Sequence, residues 1–81
     1  MHDWKRISLA RMQPGQNGVV VQIQGGHGMI NRLSALGIMP GKRITKISSM
    51  LMRGPVTIEV DRVQVAIGFG MANKVIVEPG W

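Results

Sequence analysis

The sequence contains no cysteine and no tyrosine, and its aromatic residues are one phenylalanine and two tryptophans. Without cysteine, disulfides and thiolate metal sites are excluded, and we expect a cytoplasmic protein. No apolar run approaches the roughly 20 residues that span a bilayer, and the N-terminal stretch lacks the apolar segment of a signal peptide. The 81 residues predict a single domain, residues 1–81, with a thin core.

Acidic residues are also scarce, with four against ten lysines and arginines and a net charge of +6. Between residues 4 and 58 there is no acid. The eight bases of that span are Lys5, Arg6, Arg11, Arg32, Lys42, Arg43, Lys46 and Arg53. A basic surface suits an anionic partner, such as nucleic acid, an acidic protein face or the cytoplasmic side of a membrane, or it is a solvated face that keeps a small protein soluble.

Apolar and polar residues alternate in short runs, which is the pattern of half-buried strands. The predicted strands are residues 18–24, 43–48, 56–60, 63–67 and 74–78. The side chains that this alternation places on one face are Val19, Val21 and Ile23 in the first run, Val56, Ile58 and Val60 in the third, and Val63, Val65 and Ile67 in the fourth. In the second run Ile44 and Ile47 are oddly spaced, which predicts a bulge or a strong twist.

Proline–glycine and glycine–proline pairs separate these runs. They are Pro14-Gly15, Pro40-Gly41, Gly54-Pro55 and Pro79-Gly80. Proline presets φ for the second position of a turn, and glycine supplies the positive φ of the third. Five short strands with such turns predict a mainly β fold, a small antiparallel barrel.

One short helix is expected between the first two of these strands. Met29, Ile30, Leu33 and Leu36 lie at spacings of three and four and share a helix face. Gly37 is placed to be the left-handed residue after the helix, with Ile38 packing back on Leu33 in a Schellman stop. A helix this short would hardly form alone, so we expect it to lie on the barrel with Arg32 facing outward.

No constellation of catalytic residues is visible, and we predict that the chain is not an enzyme and needs no cofactor. Residues 25–28, GGHG, follow a strand and precede a helix, but the Gly-Lys-Ser/Thr of a phosphate-binding loop is missing. His27 has neither a cysteine nor a nearby carboxylate to complete a metal site, so we predict none.

The segment SSMLMRGP carries Met50 and Met52 in a predicted loop beside Arg53. Exposed apolar side chains rimmed by charge suggest a contact surface. We therefore hypothesise one partner-binding patch with Met50 and Met52 at its centre and Arg32, Lys42, Arg43 and Arg53 at its rim. The alternative is that the loop folds back as a lid on the barrel core.

Three elements occur in order along the chain. They are Leu36-Gly37-Ile38 followed by Pro40-Gly41, then Arg53-Gly54-Pro55 before a strand, and finally Ala66-Ile67-Gly68 followed by Gly70-Met71-Ala72. With these elements the chain resembles the FeoA family, small cytoplasmic proteins that accompany the membrane GTPase-permease of ferrous-iron uptake, FeoB. We assign structural turns to Gly37, Pro40, Gly41, Gly54, Pro55, Gly68 and Gly70.

The resemblance implies an SH3-like barrel with a short helix and a binding module without a catalytic role. It implies an accessory protein that binds the cytoplasmic part of FeoB and reaches the inner membrane only through that partner. Two other functions stay open: a small basic barrel that binds RNA, and a metal sensor or carrier. Because RNA-binding barrels usually stack bases on aromatic side chains, which are few here, we expect no stable nucleic-acid complex. A weak homo-oligomer is also left open.

Overall fold

The computed structural model describes residues 6–49 and 54–80 of the chain. In chain order its elements are β1 (Ile7–Ser8), a 3₁₀ turn (Leu9–Arg11), β2 (Asn17–Ile23), α1 (His27–Ala35), β3 (Arg43–Ser49), β4 (Val56–Val60), β5 (Val63–Ile67), α2 (Phe69–Ala72) and β6 (Val75–Pro79).

The strands form one antiparallel sheet in the order β1-β6-β2-β3-β4-β5. This confirms the predicted mainly β fold with a short helix. Among the described residues β1 and β5 do not pair, so the barrel is not strictly closed. The five predicted strands are present with bounds that differ by at most one residue. β1, the 3₁₀ turn and α2 were not predicted, and because β1 comes first, α1 lies between the second and third strands.

Two strands contain irregularities that decide which side chains face the core. β3 shifts its register against β4 between Lys46 and Ser48, which confirms the bulge expected there. β2 shifts its register against β6 between Val20 and Gln22. In β2 the buried side chain is that of Val20. The alternation had placed Val20 on the outer face and Val19 on the inner face, so the predicted inner face of this strand is wrong.

The core lies between the inner faces of the strands, α1 and the 3₁₀ turn. Its buried apolar residues are Leu9, Met12, Val20, Leu33, Ile38, Ile44, Val56, Ile58, Val60, Ile67, Ala72, Val75 and Val77. The predicted inward face of β4 is confirmed. In β5 only Ile67 is buried, and Val63 is 57% exposed. Val63 lies directly opposite the buried Val60 and so shares the inner face of the sheet, as predicted. It is exposed because β5 is the last strand of the sheet and its first residues lie beyond the covered core.

α1 ends in a Schellman motif. The backbone N–H of Ile38 donates to the carbonyl of Leu33 at 2.8 Å, and the N–H of Gly37 donates to that of Ser34 at 2.9 Å. Gly37 has φ +89°, the left-handed conformation that glycine adopts without a Cβ penalty. Leu33 and Ile38 are fully buried, but Leu36, expected on the same helix face, is 39% exposed. Leu36 follows the last helical residue and has φ −90° and ψ 0°, so its side chain leaves the apolar stripe.

The remaining turn residues occupy two kinds of position. Gly41 has φ +95° in a turn closed by a hydrogen bond from the N–H of Lys42 to the carbonyl of Met39. Gly68 and Gly70 need correction as turn residues, because Gly68 is the N-cap of α2 and Gly70 lies inside that helix. Neither has a positive φ.

Lys46 is the largest departure from the expected basic surface. It is 1% exposed and lies on the inner side of β3. Its Nζ donates to the carbonyl oxygens of Ala10, at 2.9 Å, and Met12, at 2.5 Å. Desolvation by burial lowers the pKa of Lys46 from its ordinary value. Lys46 therefore fastens the 3₁₀ turn to the sheet and does not contribute to a surface for partners.

Candidate partner-binding surface

The turns that follow α1 and β4 meet at one end of the sheet. A Cβ placed on Gly37 would lie 3.6 Å from the Oδ2 atom of Asp61 and from a methyl group of Val60. The Nζ atom of Lys42 lies 3.0 and 2.8 Å from the two carboxylate oxygens of Asp61. This ion pair joins the turn before β3 to the turn between β4 and β5. Because the side chains of Lys42 and Asp61 are 36% and 60% exposed to solvent, we expect the ion pair to contribute at most about 1 kcal/mol.

The turn between β4 and β5 consists of Asp61 and Arg62 alone. Both residues have positive φ, +52° and +67°. Two such residues between paired strands form a type I′ turn, whose twist matches that of the strands. This turn favours asparagine or aspartate at its first central position and glycine at its second. The turn therefore holds two charged side chains at the end of the hairpin, with backbone strain mainly at Arg62, because aspartate adopts the left-handed conformation more readily than arginine.

Two large apolar side chains lie exposed at this same end. Leu36 immediately precedes Gly37, and Val63 pairs with Val60 across the hairpin. Among the described residues they are the exposed large hydrophobic side chains. We call the set Leu36, Lys42, Asp61, Arg62 and Val63 the hairpin-end surface. Apolar side chains rimmed by charge make such a surface suited to a protein partner.

Two described bases of the predicted patch, Lys42 and Arg43, are directed to different parts of the surface. Arg43 donates from Nη1 to the Oδ1 atom of Asn17 at 3.0 Å, which directs it toward β2 and the residues after β6, whereas Lys42 is directed toward Asp61. Arg32 is exposed on α1 and makes no hydrogen bond or ion pair to another described residue. Of the predicted rim, Lys42 belongs to the hairpin-end surface.

Met50, Met52 and Arg53 lie outside the described residues. Their segment leaves β3 after Ser49, at the opposite end of that strand from Lys42. Seven residues of strand span about 20 Å. The predicted patch with Met50 and Met52 at its centre therefore stays a prediction.

The hairpin-end surface was not predicted from the sequence, although the sequence contains one signal for it. The two predicted strands 56–60 and 63–67 are separated by two residues, which is the spacing of a tight hairpin. The turn was not predicted because Arg62 stands where glycine is usual, although Asp61 is a common first residue of such a turn.

The described residues include no group of three or more histidine, cysteine, aspartate or glutamate side chains that could hold a metal ion. His27, the candidate ligand weighed from sequence, is exposed at the first position of α1. Within residues 6–49 and 54–80, no helix is long and apolar enough to cross a membrane.

The comparisons with known proteins decide the family. The model of the FeoA domain matches residues 7–79. The chain belongs to the FeoA family. A protein named as an Fe(2+) transport protein A in Methanocaldococcus jannaschii is 36% identical to this chain over 70 residues, which cover 86% of this chain and 83% of that protein.

Solved structures agree with this assignment. A crystal structure of an iron uptake regulatory protein, FeoA, is 39% identical, covers 94% of this chain and 100% of its own, and superposes with a TM-score of 0.89. The FeoA of Stenotrophomonas maltophilia, an SH3 domain protein crystallised with zinc, is 20% identical with a TM-score of 0.78, and the match covers 91% of this chain and 95% of that one. A manganese-dependent transcriptional repressor is 19% identical with a TM-score of 0.84, and the match covers 96% of this chain but 44% of the repressor. At these two lower identities the likeness shows the fold alone, and the fold of this chain is SH3-like.

Proposed function

We propose that this FeoA-family chain is an accessory protein of ferrous-iron uptake that binds the cytoplasmic part of the membrane GTPase-permease, FeoB, through the hairpin-end surface. The match to the FeoA domain over residues 7–79 supports the role in iron transport. The observation that carries the docking site is the exposure of Leu36 and Val63 at the end where the Lys42–Asp61 ion pair bridges two turns. In this role the protein is cytoplasmic and reaches the membrane only through its partner.

We expect the residues of this surface to contribute to binding in two different ways. Binding energy comes mainly from a few anchors that become buried, while charges at the rim mostly tune the rate of encounter. Leu36 is the natural anchor because its side chain is already exposed beyond the helix. Arg62 is the rim charge that we expect to attract an acidic partner face, because it forms no ion pair with another described residue.

Surface plasmon resonance with the purified cytoplasmic part of the permease tests the proposal. Leu36→Asp should lose most of the binding, whereas Arg62→Ala should mainly slow association and reduce its dependence on salt. Gln24→Asp is the matched control, because it introduces the same charge at another exposed position. Met52→Asp tests the loop predicted from sequence. If Leu36→Asp binds as the parent does, the docking site at the hairpin end is wrong; if the parent does not bind, the proposed function is wrong.

The RNA-binding alternative loses support from the described residues. Of the bases counted as a basic surface, Lys46 is buried and Lys42 is paired with Asp61. Fewer free bases leave fewer phosphate contacts, which supply most of the affinity for nucleic acid when aromatic platforms are scarce.

A further inference from the structure

β5 is a terminal strand whose outer edge is left unpaired by the described residues. The sheet begins with β1, of two residues, and ends with β5, of five. In a two-residue hairpin the residues flanking the turn exchange hydrogen bonds, and the pairing then alternates along the strand. Val63, Val65 and Ile67 therefore use their backbone groups toward β4, and Gln64 and Ala66 direct theirs outward.

The edge lacks the features that usually keep a terminal strand from pairing. Natural edges carry lysine, proline or a bulge that discourages another strand from adding to them. β5 reads VQVAI, with no charge, no proline and no glycine, and its register against β4 has no shift. Gln64 and Ala66, which carry the outward backbone groups, are both exposed.

We propose that β5 pairs with β5 of a second copy of this chain, antiparallel and centred on Val65. In this register Gln64 lies opposite Ala66 of the other copy, and Ala66 lies opposite Gln64 of that copy. The two-fold symmetry thus gives the outward backbone N–H and C=O groups of both strands a hydrogen-bond partner. The two Val65 residues face each other in the closer, non-hydrogen-bonded pair, which suits β-branched side chains. Each Arg62 falls opposite a Gly68, so no like charges meet along the shared edge.

We infer a second copy of the chain as the partner of this edge, because the edge is uncharged and its backbone groups are complementary to those of an identical edge. The rest of the chain is strongly basic. The net charge of +6 on each copy opposes association at long range. Added salt screens that repulsion without weakening the backbone hydrogen bonds of the edge. The pairing should therefore be weak and strengthen with salt, whereas an acidic partner on the hairpin-end surface should bind less tightly as salt rises. Since Val63 belongs to both surfaces, self-pairing would compete with the partner.

Sedimentation velocity of the full chain over a range of concentrations, at low and high salt, tests this pairing. The wild type should self-associate weakly, and more at high salt. Gln64→Glu/Ala66→Glu and Gln64→Lys/Ala66→Lys should each stay monomeric, because like charges then face each other twice. A mixture of the two variants should form a heterodimer, since each facing pair now has opposite charges.

Controls separate this outcome from general effects of charge or folding. Gln22→Glu/Gln24→Glu makes the same change at two exposed positions on and after β2 and should associate as the wild type does. Circular dichroism confirms that every variant is folded. A wild type that is monomeric at both salt concentrations overturns the proposal. Acidic or basic edge variants that still self-associate, or a mixture that does not form heterodimers, overturn it as well.

Discussion

Replacing Lys46 with methionine probes the buried contact that fastens the 3₁₀ turn to the sheet. Methionine keeps most of the length of the side chain but removes both hydrogen bonds from Nζ, to the carbonyl oxygens of Ala10 and Met12. Hydrogen bonds to a charged group contribute about 1.5 to 3 kcal/mol each. Because burial already weighs against the charged form, as the lowered pKa of Lys46 indicates, we expect a net loss of about 2 to 4 kcal/mol.

Urea denaturation followed by circular dichroism measures this loss. For a domain of this size, about 3 kcal/mol lowers the melting midpoint by about 10 to 25 °C. Lys74→Met is the matched control, because Lys74 is exposed, and it should change the free energy of unfolding by less than about 0.5 kcal/mol. The competing outcome is physically reasonable, since replacing a buried charge by an apolar side chain sometimes stabilises a protein. If Lys46→Met is as stable as the wild type or more so, our account of this contact is wrong.

The pH dependence of stability provides a second test of the burial of Lys46. The folded-state pKa of Lys46 lies below its ordinary value of 10.5, so between the two values the unfolded chain binds more protons than the folded chain. The contribution of Lys46 to stability therefore rises with pH through that window. Lys46→Met lacks this rise, and the stability gap between it and the wild type should widen as the pH approaches 10.5. A gap that stays constant or narrows there would contradict burial of the ammonium group.

Three further predictions concern the turns and metal binding. Gly37→Ala should lower the free energy of unfolding by about 1 kcal/mol or more, because Gly37 has a positive φ. Gly28→Ala, inside α1 and facing open space, should leave the free energy of unfolding unchanged or raise it. Denaturant titration of both variants measures the difference. Arg62→Gly should raise the free energy of unfolding by up to about 1 kcal/mol by relieving the left-handed conformation, and a lower melting midpoint would refute that strain. Anaerobic titration with ferrous ion should show no stoichiometric, tight binding, and tight binding abolished by His27→Ala would overturn that expectation.

The parts of the fold that could be predicted are those set by local patterns. Alternation gave the strands from residue 17 onward to within one residue, and the order Leu36, Gly37, Ile38 gave the helix stop. β1 is too short to show any alternation, and α2 contains a glycine that disfavours a helix. Packing holds α2 in place instead, since Ala72 is fully buried.

The candidate site was harder to predict because it depends on strand order and on what covers each face. Lys46 shares the inner face of β3 with Ile44 by the same alternation that identified the strand, but its charge argued for the surface. Its acceptors come from a turn more than thirty residues earlier in the chain. Similarly, Val63 is exposed because β5 is the last strand of the sheet. The sequence of β5 alone does not reveal where that strand lies in the sheet.

Uptake of radioactive ferrous iron by cells that lack the gene for this chain tests the central claim most directly. We expect uptake to be restored by the wild type and by Gln24→Asp but not by Leu36→Asp, with all three proteins folded and present at equal levels. Leu36→Asp would then separate docking from folding, because its side chain is already exposed. Equal uptake with Leu36→Asp and the wild type would contradict docking through the hairpin-end surface, and uptake that does not depend on the chain at all would contradict the proposed role in ferrous-iron transport.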